Sequence, residues 1–481
     1  MVTSEAAPFV KTGGLADVLG SLPAALQARG HEIAVLLPKY RQVDLHGAQR
    51  VYQDLPVWLG ATPYIASVHQ TTHDGVAYYF LDCPSLYDRD GVYSHAGKDY
   101  PDNDIRFAVL SRAALEVIRR DFRPQVVHCH DWQTALVAPY MRVSFPLDPT
   151  FLGIKLLFTI HNLGFQGIFG PAALPRIGVG LSMFTPSTLE FWGDVNLMKG
   201  GLLWSDAIST VSPTYAREIQ TPDPKFGFGL DGLLRSRSNV LTGILNGADY
   251  SVWSPDVDKL IPAPYGPDAL EGKAVCKRAL LDRLGLPPDN MERPLLGIVS
   301  RFAPQKGFDL IEETAGDLLS EDVALAVLGS AASDDDARYE RLFLDLGALR
   351  PDRVGLKIGY DNTLAHLIEA GSDIFLMPSL YEPCGLNQMY SLRYGTPPVV
   401  RATGGLNDTI DDSVGFKFQG YSGAEFLGAV KMALTAFEDR TEWQKLMRRG
   451  MERDLSWDAS AGSYGELYES LIAGRAPARA A

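Results

Sequence analysis

Leu295-Leu296-Gly297-Ile298-Val299, then Ser300-Arg301-Phe302-Ala303-Pro304-Gln305-Lys306-Gly307, then Phe308-Asp309-Leu310-Ile311 is the stretch that decides the fold. A short apolar run bounded by turn residues predicts a strand buried on both faces, as in a parallel sheet. Proline and glycine punctuate the loop that follows. From Phe308 to Leu319 the apolar residues return at helical spacing. Strand, loop and helix together form the unit of a doubly wound α/β domain, whose ligands gather at the carboxyl ends of the strands.

The unit repeats outward in both directions. In the second half, strands are expected at Ala324–Leu328, Val354–Ile358, Ile374–Met377 and Pro398–Val400, with a helix at Asp335–Leu346. In the first half, strands are expected at Ile33–Leu37, Val76–Leu81, Val126–Cys129, Leu156–Ile160, Ala207–Val211 and Val240–Leu245. Leu15–Arg29 and Ile105–Arg120 read as helices. Two sets imply two doubly wound domains, which suits 481 residues. Asn246 to Glu271 is proline-rich and aperiodic and reads as an ordered connector. The expected division is 1–245, 246–456 and a last segment 457–481, with a frayed tail from Arg475. Only Met1 to Ser4 precede the first loop, whereas a central strand spans about five residues; the expectation is a start further upstream.

Composition narrows the function. Forty-four Lys and Arg against 58 Asp and Glu leave a net charge of −14, which repels phosphate backbones and argues against nucleic acid. No apolar run approaches a membrane span and no signal peptide is legible. Cys83, Cys129, Cys276 and Cys384 form no C-x-x-C pair. A cytoplasmic protein with neither disulfide framework nor zinc site is expected.

Against that acidic background, the cations at strand ends are informative. Arg301 and Lys306 can clamp a diphosphate, one as a fork and one as a point charge. Lys11-Thr12-Gly13-Gly14-Leu15 opens a helix, where unpaired N–H groups favour an anion; a plain strand–helix turn is the competing reading. Glu382, in Tyr381-Glu382-Pro383-Cys384-Gly385, can accept hydrogen bonds from sugar hydroxyls, or simply face water. Asp131 and Trp132 offer a polar group beside an aromatic platform, and His161-Asn162 closes another strand. Thr403-Gly404-Gly405 is a second glycine turn with N–H groups for phosphate. His128 and His130 are expected on opposite strand faces, which argues against a metal there.

Taken together these segments resemble the bacterial glycogen synthase and plant starch synthase family. The matches are Lys11 to Val18, His130-Asp131-Trp132, His161-Asn162, Gly243 to Gly247, Arg301 with Gln305-Lys306-Gly307, Glu382 to Leu386, and Thr403 to Leu406, in family order. The resemblance implies a GT-B fold: two Rossmann-like domains facing across a cleft, with a C-terminal helix (Ser460–Leu471) crossing back to the first. It implies a retaining hexosyltransferase that moves glucose from ADP-glucose to the non-reducing end of an α-1,4-glucan, without cofactor or metal. His161, Glu382, Arg301 and Lys306 take the catalytic roles. Lys11, Gly13, Gly14, Asp17, Asp131, Trp132, Asn246, Tyr360, Cys384, Gly385, Thr403, Gly404 and Gly405 bind substrate, Tyr360 by stacking on the adenine. The rivals are a UDP-sugar transferase, a silent glucan-binding scaffold and a glucan phosphorylase; the last needs a cofactor lysine and a longer chain.

Overall fold

The computed structural model describes residues 1–331, 333 and 336–475. The expected start of the helix at Asp335, and the tail from residue 476, lie outside them. Two compact units emerge, Met1–Asn246 with Trp457–Ala481, and Gly247–Ser456.

In the first unit one sheet carries strands β1 (Ala34–Pro38), β2 (Gln49–Leu59), β3 (Thr62–His73) and β4 (Val76–Asp82), in the order β1-β4-β3-β2. A second run carries β5 (Val126–His130), β6 (Lys155–Ile160), β7 (Ala207–Thr210) and β8 (Leu241–Gly243), all parallel. Val2 joins the two, bridging Leu36 on one side and Cys129 on the other. The Val2 N–H donates to the His128 carbonyl at 2.8 Å, and the Thr3 N–H to the Leu36 carbonyl at 3.0 Å. Both neighbours thereby satisfy backbone groups of Met1 to Thr3. The Met1 ammonium donates to the Ala34 carbonyl at 2.6 Å, and burial pulls its pKa down to about 6.

The expected parallel arrangement holds for β1 with β4 and for β5 to β8, but β2 and β3 form an unexpected antiparallel hairpin that continues antiparallel into β4. Polar residues facing solvent mask the apolar run that a buried strand shows. Asp74-Gly75, both at positive φ between β3 and β4, was the available signal.

The second unit holds six parallel strands: β9 (Leu295–Phe302), β10 (Ala324–Ala331), β11 (Val354–Ile358), β12 (Ile374–Met377), β13 (Pro398–Arg401) and β14 (Phe416–Phe418). Their order is β11-β10-β9-β12-β13-β14. The chain winds one way from β9 to β11 and the other way from β12, so β9 and β12 flank the switch point. The segment before Glu271 is irregular yet pinned: the Trp253 ring stacks on His366 at 3.7 Å and on Tyr390 at 4.2 Å.

The helix Trp457–Ile472 belongs to the first unit, where it packs against the helix Gly14–Ala28. Tyr468 of that helix reaches His128 of β5.

Candidate functional site

In the second unit, two loops leave the switch point side by side. After β9, Pro304–Lys306 makes one tight turn and Gly307, at φ 74°, redirects the chain into the helix Phe308–Ser320. A Cβ on Gly307 would run into the Pro378 carbonyl oxygen, so only glycine lets this loop seat on the one after β12. The Leu380 N–H donates to the Gln305 carbonyl at 2.9 Å, and Gln305 Nε2 to the Tyr381 carbonyl at 3.3 Å. This zipper brings Lys306 Nζ within 2.7 Å of Glu382 Oε2, which also accepts from Ser379 Oγ at 3.0 Å. The Glu382 side chain is only 6% exposed and that of Lys306 22%. A carboxylate so buried needs its cation. Arg301 ends the strand differently: its side chain is exposed, and its guanidinium takes no ion pair or hydrogen bond among the described residues.

The glycine turn after β13 departs from expectation. The Gly405 N–H is engaged with the carbonyls of Glu382 (3.1 Å) and Pro383 (3.2 Å), so it does not present itself to a phosphate. Cβ atoms on Gly404 and Gly405 would collide with the carbonyl oxygens of Glu382 and Cys384. These glycines press the helix Gly404–Thr409 onto the Glu382 loop, whose own turn is made by Gly385 at φ 73°. Thr403 and Cys384 are buried in the same contact. Tyr360 lies beyond β11 and is 83% exposed.

The residue that sequence reasoning missed here is Arg401. Buried at the end of β13, it donates from Nε to the Ser379 carbonyl at 2.8 Å, and also to the Leu380 carbonyl. It thereby holds the backbone that carries Glu382. An arginine closing the apolar run Pro398-Val399-Val400 was the signal.

In the first unit the anchor is Glu5, also unforeseen. Its buried carboxylate accepts from Thr12 Oγ1 at 2.6 Å, from the Thr12 N–H, and from Tyr93 OH at 2.5 Å. That fixes the Lys11–Gly14 turn. Gly13 is extended and caps the helix Gly14–Ala28 without a side-chain bond. A Cβ on Gly13 would meet nothing within 4 Å, so packing does not demand glycine there. Lys11 pairs with Asp17 at 2.6 Å on the surface.

Asp131 follows β5 at φ 56°, a conformation costly for a residue with a Cβ. The strain aims its carboxylate at the backbone N–H groups of His161 (2.7 Å) and Asn162 (3.5 Å). Burial pushes its pKa up to about 7, while those two donors work against the rise. The Trp132 ring is not a free platform: it packs edge-on to Phe107 at 5.0 Å and against Phe169 at 5.8 Å.

His161 Nε2 lies 3.0 Å from His130 Nδ1. Burial pushes the His161 pKa down to about 3, and drives His128 and His130 well below their ordinary value. The expectation for His128 and His130 was wrong. Residues two apart on a strand share a face, and these rings sit 4.0 Å apart. Both His128 nitrogens are engaged, with Tyr468 OH at 2.7 Å and Thr159 Oγ1 at 2.5 Å. His130 Nε2 is buried without a partner. An orphaned acceptor is tolerated better than an orphaned N–H, so His130 donates from Nδ1 and His161 carries its proton on Nδ1. Asn246, beyond β8, is buried, and its Oδ1 is unpaired among the described residues.

Residues 1–236 match the model of the starch synthase catalytic domain, and residues 287–449 that of glycosyl transferases group 1. The chain is 48% identical to a glycogen synthase of Koribacter versatilis (strain Ellin345), with 98% of each chain covered. It is 45% identical to one of Anaeromyxobacter sp. (strain Fw109-5), covering 98% of this chain and 99% of that one. Among solved structures it resembles the catalytic domain of starch synthase IV from Arabidopsis thaliana bound to ADP and acarbose, with TM-score 0.89 and 33% identity over 98% of each chain. Sucrose-phosphate synthase from Thermosynechococcus elongatus shares the fold, with TM-score 0.60 at 17% identity over 98% of each chain.

Proposed function

The chain belongs to the glycogen and starch synthase family, glycosyltransferases of GT-B fold, and from that membership we propose that it moves glucose from ADP-glucose to the non-reducing end of an α-1,4-glucan with retention of configuration. The observation that carries the reading is the Lys306–Glu382 pair, locked in place at a switch point beside Arg301, whose guanidinium is unpaired among the described residues. In a chain of net charge −14, two cations held at one strand end are a clamp for a diphosphate.

The residue roles follow from the chemistry. Charge grows on the diphosphate as the glycosidic bond breaks, and Arg301 and Lys306 stabilise it electrostatically. Lys306 has three donors, so it keeps Glu382 and still reaches an oxygen. Glu382 accepts from the glucose hydroxyls. Lys11, with Asp17, Gly13 and Gly14, covers the donor phosphates, and Tyr360 stacks on the adenine. His161 stays neutral across the working pH range, so it acts as a hydrogen-bond donor to the glucose, not as an acid or base. Asn246 lines the same sugar's site. Asp131 orients His161 and, with Trp132, borders the sugars. Cys384, Gly385, Thr403, Gly404 and Gly405 shape the loop that presents Glu382. The departing phosphate takes the proton of the acceptor hydroxyl on the same face, which gives retention without a protein nucleophile. A cytoplasmic site, where a nucleotide sugar is available, completes the reading.

Transfer of radiolabel to glycogen from ADP-glucose and from UDP-glucose tests it. The expected result is incorporation from ADP-glucose at well above the UDP-glucose rate. The reverse preference would assign the chain to another donor. Glycogen retention with no incorporation from either would make it a binding protein.

A further inference from the structure

The short strands Glu190–Phe191 and Asp194–Asn196 form a hairpin, with Phe191 opposite Asp194. Its two-residue turn is Trp192-Gly193, at φ 56° and 90°. Such a turn favours Asn, Asp or Gly at its first position, because that residue must adopt the left-handed region. Tryptophan there is strained, and its side chain is 86% exposed. The fold gains little from this ring, which meets the edge of Phe191 at 6.4 Å and lies over Gly229. A residue that breaks a local rule with little packing return is expected at a functional or strained site, and here a second exposed aromatic ring accompanies it.

The surroundings say which ligand. Gly229 lies beneath the turn, its Cβ position 2.9 Å from the Phe191 ring and 3.5 Å from the Trp192 indole nitrogen. The neighbouring Phe228 carbonyl accepts from Gln166 Nε2 at 3.1 Å. Gln166 is buried, and its Oε1 accepts from Asn196 of the hairpin at 2.6 Å. Gln166 therefore ties the hairpin to the loop that begins at His161 and carries Phe165, 57% exposed, and Ile168, 47% exposed.

We propose that Trp192 and Phe165 form a stacking platform for the α-glucan chain, holding sugars away from the one that reacts. The proposal rests on the glucan acceptor named above. Flat aromatic faces suit the apolar CH faces of pyranose rings, and neither ring carries a charge to hold the donor diphosphate. Separate rings on a polar backbone also lack the contiguous patch of about 800 Å² that a stable protein partner covers on one side. A repeating sugar chain needs only spaced rings.

Three variants test this: Trp192→Ala, Phe165→Ala and Trp192→Asn. Affinity electrophoresis in glycogen gels should show each binding glycogen about fivefold to tenfold more weakly, the scale of one lost stacking contact. The KM for glycogen should rise by a similar factor, with kcat and the donor KM within about twofold of the parent and maltotriose kinetics unchanged. Asn fits the turn better than Trp, so Trp192→Asn should keep or raise the thermal midpoint while losing glycogen retention. Unchanged retention and glycogen KM would overturn the platform. So would a fall in stability parallel to the loss of binding, or a parent dimer that Trp192→Asn dissociates. If the parent retains glycogen through Trp192 but transfers no glucose from ADP-glucose, the proposed function fails and the platform stands.

Discussion

Lys306 and Glu382 show how much one pair asks of its neighbours. From sequence alone, truncation of a loop lysine ahead of a glycine should leave the fold untouched. The 2.7 Å pair with a 6% exposed carboxylate changes that expectation. Lys306→Ala should cost about 1–3 kcal/mol of stability, because Glu382 is left buried and unpaired, and about a hundredfold in kcat. Adding Glu382→Gln should recover most of the stability and none of the activity. Urea denaturation and steady-state kinetics on the single and double variants decide this, and purely additive stability losses would refute the coupling. Cys384→Ser should retain substantial activity, since the side chain is buried beside the Gly405 contact and serves packing; loss of all activity in a folded variant would count against that. The identities of these residues were legible in the sequence, as cations and a carboxylate at strand ends. Their pairing was not, because Lys306 and Glu382 are 76 residues apart.

Loops and strands act as units above that scale. Gly307→Ala should displace the Pro378–Leu380 loop and cost more than about 2 kcal/mol, through both the positive φ and the collision with backbone; a thermal midpoint equal to the parent would disprove the loop contact. Along β5 and just beyond β6, three imidazoles are held neutral. Their folded pKa values lie below the ordinary 6.5. This contribution is complete above pH 6.5 and is lost as pH falls through the window toward about 3, where the unfolded chain binds up to three more protons. Asp131 has the opposite sign. Its folded pKa of about 7 lies above the ordinary 3.8, so its ionisation costs stability as pH rises through that window. Asp131→Asn removes the opposing proton. The urea midpoint of this variant should therefore fall more steeply than the parent's between about pH 6 and 4, by roughly 1.4 kcal/mol per pH unit at most. A parallel profile would mean that Asp131 is ionised throughout. Strand positions were largely legible, because parallel strands read as continuous apolar runs. The β2–β3 hairpin was not, since its solvent-facing residues interrupt that pattern.

At the scale of the whole molecule, the last helix is part of the first unit. Tyr468→Phe leaves His128 Nδ1 buried without its hydroxyl partner and should lower stability by about 1–3 kcal/mol with little change in donor KM. Ending the chain after Ser456 should be far more damaging, because it removes the buried residues Tyr464, Leu467 and Leu471 and bares the face of the helix Gly14–Ala28 against which that helix packs. Circular dichroism melts of both variants measure the difference. The sequence by itself determined the two α/β units, the placement of Arg301, Lys306 and Glu382 near strand ends, and the acidic balance of the chain. All of these are local in the chain and follow from periodicity, turn residues and composition. Only the tertiary structure decided that Val2 completes a sheet, that Arg401 and Glu5 hold the two loops, that the Gly404–Gly405 turn packs instead of offering Gly405 N–H to an anion, and that His128 and His130 lie ring to ring. Each depends on which residues, distant along the chain, satisfy a buried polar group, and that accounting closes only when the chain is folded.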